Sequence, residues 1–336
     1  MRAMHGARAI RLLGLVAAFA AFAGAANADT SVERPGSILI FPKVVSNGTR
    51  DTVIQVTNTG NMLNEVSCFY VDGDSCTVTD FELTLTRQQP IHWRVSAGRP
   101  VNPLDDFGTD GSGLDPGLIP PLGANFEGGL VCVETDDGAP VAQNKLKGEA
   151  SLQDTSGSPN TNDSKYNAIA LSGDSTPGGN DLDTNLELNG SEYSTCARTH
   201  RLDVITEVAG GDPILGNASQ VLTNVTVLPC DLDFRRGTPA SVTINQFAWN
   251  EFENFASGPD STFSCWDSFT VDTSGLNPQT IFATVELNTS RPVALVAESF
   301  TTDSSSAPVT ASAARNVPFA ADSTSTSATI RLAPVP

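Results

Sequence analysis

Short runs of β-branched and aromatic residues, each ended by glycine, asparagine, aspartate, serine or proline, recur along almost the whole chain. The stretch DTVIQVTNTGNMLNEVSCFYVDGDSC, residues 51–76, is typical, because it holds two apolar runs on either side of a polar turn. Runs of this kind form strands, and the breakers between them form turns. No long apolar stripe with the period of a helix occurs, and the one helix candidate is the short segment 250–255. The sequence therefore predicts an all-β protein.

Strands that follow one another without intervening helices are expected to pair antiparallel and to pack face to face in a β-sandwich. Three stretches have the composition of loops, namely 98–126, 172–189 and 301–327. On these grounds we predict about fifteen strands, at 37–44, 52–58, 65–71, 80–86, 90–96, 129–135, 148–153, 165–171, 201–208, 220–228, 241–248, 263–271, 280–288, 292–300 and 328–333.

The N-terminal residues 1–28 have the pattern of a secretory signal peptide. Arg2, Arg8 and Arg11 form a basic start, an apolar run follows, and Ala-Asn-Ala at 26–28 fits a cleavage site. Within the remainder, an acidic segment rich in glycine, asparagine and aspartate is the preferred boundary. We therefore predict two sandwiches, with one large β domain as the alternative. The predicted divisions are a signal peptide (1–28), an N-terminal β-sandwich (29–175), a linker (176–199) and a C-terminal β-sandwich (200–336).

The chain is strongly acidic, with a formal net charge of −19 and only four lysines. Such a surface repels nucleic acid and anionic lipid, so we expect neither as a partner. After the signal peptide no segment has the roughly 18 uninterrupted apolar residues of a membrane-spanning helix, so we expect no membrane insertion of the mature chain. The charge attracts divalent cations, although solubility in salt is the simpler explanation for it.

All six cysteines follow the predicted signal peptide, and an even number in an exported chain indicates disulfide bonds. If residues 71–73 form a three-residue hairpin loop, Cys68 and Cys76 lie opposite each other on paired strands, near disulfide distance. We therefore predict a Cys68–Cys76 bond, with Cys68–Cys132 as the alternative. For the other cysteines the expected pairs are Cys132–Cys196 and Cys230–Cys265.

Hydrolytic catalysis has little support in the sequence. After the signal peptide only two histidines occur, His92 and His200, each in or beside a predicted strand, where a lone histidine is usually a surface or edge residue. Neither G-x-S-x-G nor H-E-x-x-H occurs. Zinc is not expected either, because no C-x-x-C occurs and the histidines are far apart. We therefore predict that the protein is not an enzyme and that it holds no cofactor, calcium being the one candidate.

The segment FAWNEFENF, residues 247–255, places acids beside aromatic side chains. Trp249, Glu251 and Glu253 could form a ligand surface for a sugar, and two carboxyl groups could serve a glycosidase. The commoner arrangement is that Phe247 and Trp249 alternate into a core while the acids face water. A Trp249 exposed on a concave face near Glu251 would favour the sugar-binding interpretation, and a Trp249 packed between sheets would exclude it.

A calcium loop is suggested by DLDTNLELNGSE, residues 181–192. Asp181, Asp183, Asn185 and Glu192 occupy positions that supply oxygen ligands in such loops. Leu186 stands where the loop requires glycine, and no helix is expected on either side, so an EF-hand is not expected. Two hypotheses remain, an irregular calcium loop and a solvated linker whose aspartates form turns.

Parts of the chain resemble exported bacterial proteins of uncharacterised function, on the stretches ILIFPKVV, DTVIQVTNTGN, CFYV, LTLTRQQPIHW and SKYNAIAL. VTNTGN is similar to the paired strands of immunoglobulin-like modules on bacterial surfaces. These resemblances imply export and two immunoglobulin-like sandwiches, and no activity follows from a fold alone.

We therefore expect a non-enzymatic structural or adhesive protein of the bacterial periplasm, cell surface or extracellular space. Its expected partner is a protein or polysaccharide of the cell envelope. The alternatives are a carbohydrate-binding or carbohydrate-active protein and a calcium-stabilised adhesin.

Overall fold

A computed structural model gives the structure of residues 30–101, 114–156, 163–206, 220–235, 241–277, 280–302, 308–317 and 327–332. Within these ranges the chain forms strands and no helix, and the paired strands run antiparallel. The predicted all-β class is therefore confirmed. The predicted signal peptide, 1–28, lies outside the described residues, and no helix long and apolar enough to cross a bilayer occurs inside them.

Burial alternates along many of the strands, as expected where one face meets a core and the other meets solvent. In chain order the strands are β1 (Thr30–Ser31), β2 (Ile38–Ser46), β3 (Arg50–Asn58), β4 (Asn64–Asp72), β5 (Val78–Leu85), β6 (Pro90–Arg94), β7 (Phe126–Asp136), β8 (Ala139–Pro140), β9 (Leu146–Asp154), β10 (Ser164–Asn167), β11 (Ile169–Leu171), β12 (Asn185–Leu188), β13 (Ala197–Ile205), β14 (Gln220–Pro229), β15 (Val242–Asn250), β16 (Phe255–Ser257), β17 (Ser261–Phe263), β18 (Asp267–Thr270), β19 (Phe282–Thr302), β20 (Pro308–Asn316) and β21 (Ala328–Arg331).

The N-terminal half is a β-sandwich. In one layer β3 lies between β9 and β6, and in the other β2 lies between β11 and β7, with β4 and β5 beyond β7. Only Ser46 and Asp51 pair between β2 and β3, so this connection carries the chain from one layer to the other. Side chains of both layers, among them Ile54, Trp93 and Leu130, form one buried core.

The strand β2 is buried on both faces. All of its residues are buried, whereas burial alternates along β3. Leu39 and Phe41 face the first core, while Ile38 and Ile40 face a second one. A strand covered on both faces carries a continuous apolar run, which explains the sequence ILIFPKVV. Strands β4, β7 and β11 add Val71, Val131 and Leu171 to the second core. Later parts of the chain cover it from the other side with residues that include Leu186, Leu228, Ala294 and Ile330.

The C-terminal half is built around β19, which has 21 residues. Its first part pairs with β13 and β15, and its later part pairs with β14 and β20. Val285 from the first part and Leu295 from the later part lie in the same core as Val225 and Ile244. The two parts of this one strand therefore contribute side chains to the same core. The immunoglobulin-like detail and the division into two domains stay predictions.

The segment 176–199, which we predicted as a linker, differs from a plain loop in containing a strand and buried side chains. Its β12 pairs with β21, and Leu186 and Leu188 are fully buried, as are Tyr193 and Cys196. The leucines alternate with polar residues, so one face of this short strand completes the second core while the acids face outward. The predicted loop 301–327 also differs, because it contains β20.

Three disulfide bonds use all six cysteines, as the even number predicted. The preferred Cys68–Cys76 prediction is wrong, and the alternative, Cys68–Cys132, is confirmed. The expected pairs Cys132–Cys196 and Cys230–Cys265 are also wrong, because the remaining bonds are Cys76–Cys265 and Cys196–Cys230.

The first error arises because β4 and β5 turn later than we expected. Val71 pairs with Val78, so Cys68 lies opposite Phe81 on one side and opposite Cys132 on the other. The Cα atoms of Cys68 and Cys132 are 4.1 Å apart. Directly opposed positions are where a cross-strand bond forms, and the partner strand is β7 rather than β5.

Cys76 instead lies in the loop after β4. Asp72 shapes this loop, since its backbone oxygen accepts from the Cys76 amide at 2.9 Å and its carboxylate accepts from the Ser75 amide at 2.7 Å. Cys265, which bonds Cys76, is followed by Trp266, whose indole NH donates to the Pro42 carbonyl at 2.8 Å. The bond and the indole together tie the two halves at this point.

A buried ion cluster joins the halves at a second point. Glu298 accepts from Lys43 at 2.9 Å, from Arg50 at 2.6 Å and from the Ser164 hydroxyl at 2.7 Å. Burial alone would raise the pKa of Glu298, but the Arg50 hydrogen bond and the charges of Lys43 and Arg50 outweigh it and hold that pKa well below its usual value. Glu298 is therefore ionised at neutral pH although its side chain is buried.

Candidate binding site

Burial alternates along β15, but the aromatic residues are on the outer side rather than in the core, which is opposite to the commoner arrangement described above. Ile244, Gln246 and Ala248 are buried, while Phe247 is half-buried and Trp249 is 36% exposed. The expectation that Phe247 and Trp249 alternate into a core is therefore wrong. Trp249 lies on the outer face of its sheet, so the outcome that would have excluded a sugar-binding surface, packing between sheets, is not observed.

The turn after β15 fixes this orientation. The buried side chain of Asn250 accepts from the amides of Phe252 at 3.0 Å and Asn254 at 2.8 Å, and its amide group donates to Thr280 at 2.7 Å. Asparagine is suited to such turns because its side chain bonds nearby backbone groups. Residues 251–254 therefore form a turn between two strands, and the helix that we considered at 250–255 is not formed.

Four aromatic side chains, which we call the aromatic face, share the outer side of this sheet: Phe247, Trp249, Phe255 and Phe282. Trp249 pairs with Phe255 on one side and with Thr284 on the other, and Phe282 lies two residues before Thr284. Phe255 and Phe282 are each 55% exposed. Ring centroids are 5.4 Å apart for Trp249 and Phe255, 5.9 Å for Phe247 and Phe255, and 6.4 Å for Phe247 and Trp249.

The acids predicted beside Trp249 lie where the sequence suggested. Glu251 and Glu253 occupy the turn between β15 and β16, and both are exposed, as is Phe252. Glu253 has a φ of 60°, which places it in the left-handed region within the tight turn. The structure therefore brings Trp249 and these two acids to the same edge of the sheet.

Polar residues on the strands beside the aromatic face are held by pairing with one another. Arg201 donates to Glu286 at 2.7 Å, and Thr284 donates to Asp203 at 2.7 Å. Each carboxylate can accept further hydrogen bonds, because its two oxygens offer about four lone-pair sites. The face is therefore an aromatic patch with ordered hydrogen-bonding groups along one side.

The predicted calcium ligands lie in a chain of turns. The Asp181 carboxylate accepts from the Asp183 amide at 3.1 Å, and the Asp183 carboxylate accepts from the Asn185 amide at 2.6 Å. The Glu192 carboxylate accepts from the Glu187 amide at 3.2 Å. Among the residues that the structure describes, no group of three or more histidine, cysteine or acidic side chains is arranged to hold a metal.

Glu192 is the perturbed acid of this segment. Partial burial raises its pKa to about 7, and the nearby charges of Asp181, Glu187 and Asp183 act in the same direction, while the Glu187 amide opposes them. The calcium hypothesis stays a prediction, and melting with and without a chelator tests it, because a bound ion stabilises the folded state. An unchanged melting temperature would dismiss a stabilising ion.

The two histidines have different surroundings. His92 is exposed on β6, as expected for a strand histidine. His200 is fully buried on β13, so the expectation of a surface position is wrong for it, and burial lowers its pKa to about 4. A buried histidine of this kind stays neutral at neutral pH and belongs to the packing of the sheet.

Phe255 and Phe282 were not among the predicted site residues. Phe255 stands in the segment that the sequence singled out, but its pairing with Trp249 depends on the hairpin. Phe282 is 33 residues away from Trp249 along the sequence and shares its face only through the register of β15 and β19. No sequence signal links these two positions.

Comparisons with known proteins add little. No family model and no curated protein matches the chain. A solved structure from Thermotoga maritima shares 14% identity at a TM-score of 0.27, covering 40% of this chain and 95% of that chain. A Parabacteroides distasonis protein described as secreted shares 12% identity at a TM-score of 0.19, covering 74% of this chain and 69% of that chain. Both scores are too low to support an argument about fold or function.

Proposed function

We propose that this protein is a non-enzymatic, exported interaction protein with a structural or adhesive role, and that its aromatic face contacts the partner. The observation that carries the proposal is the exposure of Trp249, Phe255 and Phe282 on one side of one sheet. Exposed apolar patches mark interaction sites, and aromatic side chains supply much of the binding energy at interfaces.

Export is supported by the signal-peptide pattern at 1–28 and by three disulfide bonds, which persist in oxidising compartments. We place the protein in the bacterial periplasm, at the cell surface or outside the cell. The partner that we propose is a protein or polysaccharide of the cell envelope.

The mechanism that we propose is rigid presentation. Strands hold Trp249 and Phe255 in a directly opposed pair, and Asn250 fixes the turn between them. A surface that is already ordered loses less conformational entropy on binding, so more of the contact energy appears as affinity.

Carbohydrate binding is the second candidate. It is favoured by one observation, the exposure of Trp249 beside a turn that carries Glu251 and Glu253. In this alternative an aromatic ring would stack on a sugar and the carboxylates would bond its hydroxyl groups.

Binding of the purified mature protein to isolated cell envelopes and to insoluble polysaccharides tests the proposal. We expect saturable binding, a loss of that binding in Trp249→Ala, and no release of soluble product. A Leu182→Ala variant is the control, because Leu182 is exposed but lies in the segment before β12. Turnover of a glycoside that disappears in Glu251→Gln would instead show a hydrolase, and binding that Trp249→Ala leaves unchanged would place the contact elsewhere.

A further inference from the structure

We propose that the aromatic face binds a basic segment of a partner protein, rich in lysine and arginine. This inference rests on the function proposed above and names the class of ligand that the same face takes. It depends on two properties of the face, which are the orientation of its rings and the charge around it.

The rings do not form a flat platform. Trp249 is tilted by 49° from Phe255 and by 39° from Phe247, although Phe247 and Phe255 are within 20° of parallel. A flat sugar chain makes the most extensive contact with several rings when those rings are coplanar. A cation needs only one ring face at about 6 Å or less, and tryptophan is the best such ring. The observed tilt therefore suits separate cationic side chains better than a flat glycan.

The charge around the face is complementary to a cation. Glu251 and Glu253 are exposed in the turn directly after Trp249, and the whole chain carries a formal charge of −19. The pair of Asp260 with Asn245, at 2.6 Å, adds a carboxylate on the side of β15 next to β17. A field of one sign raises the local concentration of the opposite charge and speeds association.

The arginines near the face do not reverse this sign. Arg201 is paired with Glu286 at 2.7 Å, which balances its charge. Arg315 donates to the backbone oxygen of Asp203 on β13, so strand β19 lies between that contact and Trp249. The edge that includes Trp249 and the turn is therefore the acidic part of the face.

Calorimetric titration of the mature protein with a short unstructured peptide rich in lysine and arginine tests the inference. The matched probe is the same peptide with every basic residue replaced by glutamine. We expect the basic peptide alone to bind, with an affinity that falls as salt is added, because exposed charges are screened. Trp249→Ala should weaken binding about fivefold, as expected for loss of one cation–π contact.

The double variant Glu251→Gln/Glu253→Gln separates charge from shape. We expect it to weaken binding and to reduce the salt dependence, while Leu182→Ala leaves both unchanged. Unchanged melting temperatures in all variants show that the fold is intact. Equal affinity for the glutamine peptide, or peptide binding that Trp249→Ala leaves unchanged, would overturn the inference.

Three outcomes separate this inference from the proposed function. Retention on a neutral polysaccharide, lost in Trp249→Ala and insensitive to salt, would mean that the face binds glycan; the ligand class would be wrong and the interaction role would stand. Self-association lost in Trp249→Ala would identify a second copy as the occupant and would also overturn the ligand class. If no probe and no envelope fraction binds, the proposed function fails together with the inference.

Discussion

Trp93 and Trp249 both stand in strands along which burial alternates, yet Trp93 is 2% exposed and Trp249 is 36% exposed. Trp93 lies in the N-terminal core, where its indole NH donates to the Tyr70 hydroxyl at 2.6 Å and its ring meets Phe81 edge-on at 5.8 Å. Trp249 lies on the outer face of a sheet in the C-terminal half, against Phe255. The same residue type therefore forms part of the core in one half and part of the exposed surface in the other.

The difference comes from what else must be buried on each strand. On β6 the residues that alternate with Trp93 are His92 and Arg94, which face water. On β15 the inner positions are taken by Ile244, Gln246, Ala248 and Asn250. A shift of one residue would turn every side chain to the other face, so these inner residues decide that the aromatic ones face out.

Two of those inner residues, Gln246 and Asn250, are polar, and their side chains are hydrogen-bonded. The Gln246 side chain donates to the Asp272 carbonyl and accepts from the Asp272 amide at 3.2 Å. Asn250 organises the turn and bonds Thr280 at 2.7 Å. A buried polar group whose hydrogen bonds are made in this way costs little folding free energy. An exposed aromatic pair, in contrast, lacks the stabilisation that burial of its apolar surface would contribute. This arrangement is what an interaction surface requires.

The largest expected effect comes from Trp93→Ala, which removes the centre of the buried cluster and leaves Tyr70 without its partner. We expect the free energy of unfolding to fall by about 3–5 kcal/mol, because a large cavity forms in a packed core. Urea unfolding measures this loss, provided that the slope of the unfolding free energy against urea concentration is the same in the variant and the wild type. A loss no larger than that of Trp249→Ala would contradict the contrast between the two tryptophans.

A slightly smaller loss is expected from Glu298→Gln, which leaves Lys43 and Arg50 buried without their carboxylate. Removing one partner of a buried pair costs roughly 3 kcal/mol or more. Glu149→Gln is the control, since Glu149 and Lys165 form a pair at the surface with an N–O distance of 2.6 Å and should contribute less than about 1 kcal/mol.

The same residue predicts a pH dependence. Because the folded-state pKa of Glu298 lies below its unfolded value, its contribution to stability is present above about pH 4.3 and is lost as pH falls towards the folded pKa. Unfolding free energies measured on either side of pH 4.3 should show this loss in the wild type and a shallower slope in Glu298→Gln. Equal slopes would show that the cluster does not control acid stability.

Loss of the bond between Cys76 and Cys265 is expected to cost about 2–4 kcal/mol, because it closes a long loop between the halves. The double variant Cys76→Ala/Cys265→Ala, checked by mass spectrometry for the two remaining bonds, measures it. We expect the aromatic face of this variant to bind its ligand still, at a temperature where the variant is folded. That result would separate the contacts that stabilise the protein from the surface that binds. An unchanged melting temperature would mean that packing alone joins the halves.

The smallest expected effect on stability is that of Trp249→Ala. Its free energy of unfolding should lie within about 1 kcal/mol of the wild type, because surface substitutions seldom have a larger effect. Its effect on binding should be the largest of the set. If Trp249→Ala instead unfolds the protein as Trp93→Ala does, the outer aromatic residues serve packing, and the proposed surface loses its support.

The sequence by itself determined the all-β class, most of the strands and the presence of three disulfide bonds, since these follow from local alternation, turn residues and the number of cysteines. It did not determine the partners of Cys68 and Cys76, the burial of β12 or the outward direction of Trp249. Those depend on which strand lies next to which, and strand neighbours are set by contacts between residues far apart in the chain. A register that differs by one residue reverses a strand's faces, and only the packed tertiary structure selects between the two.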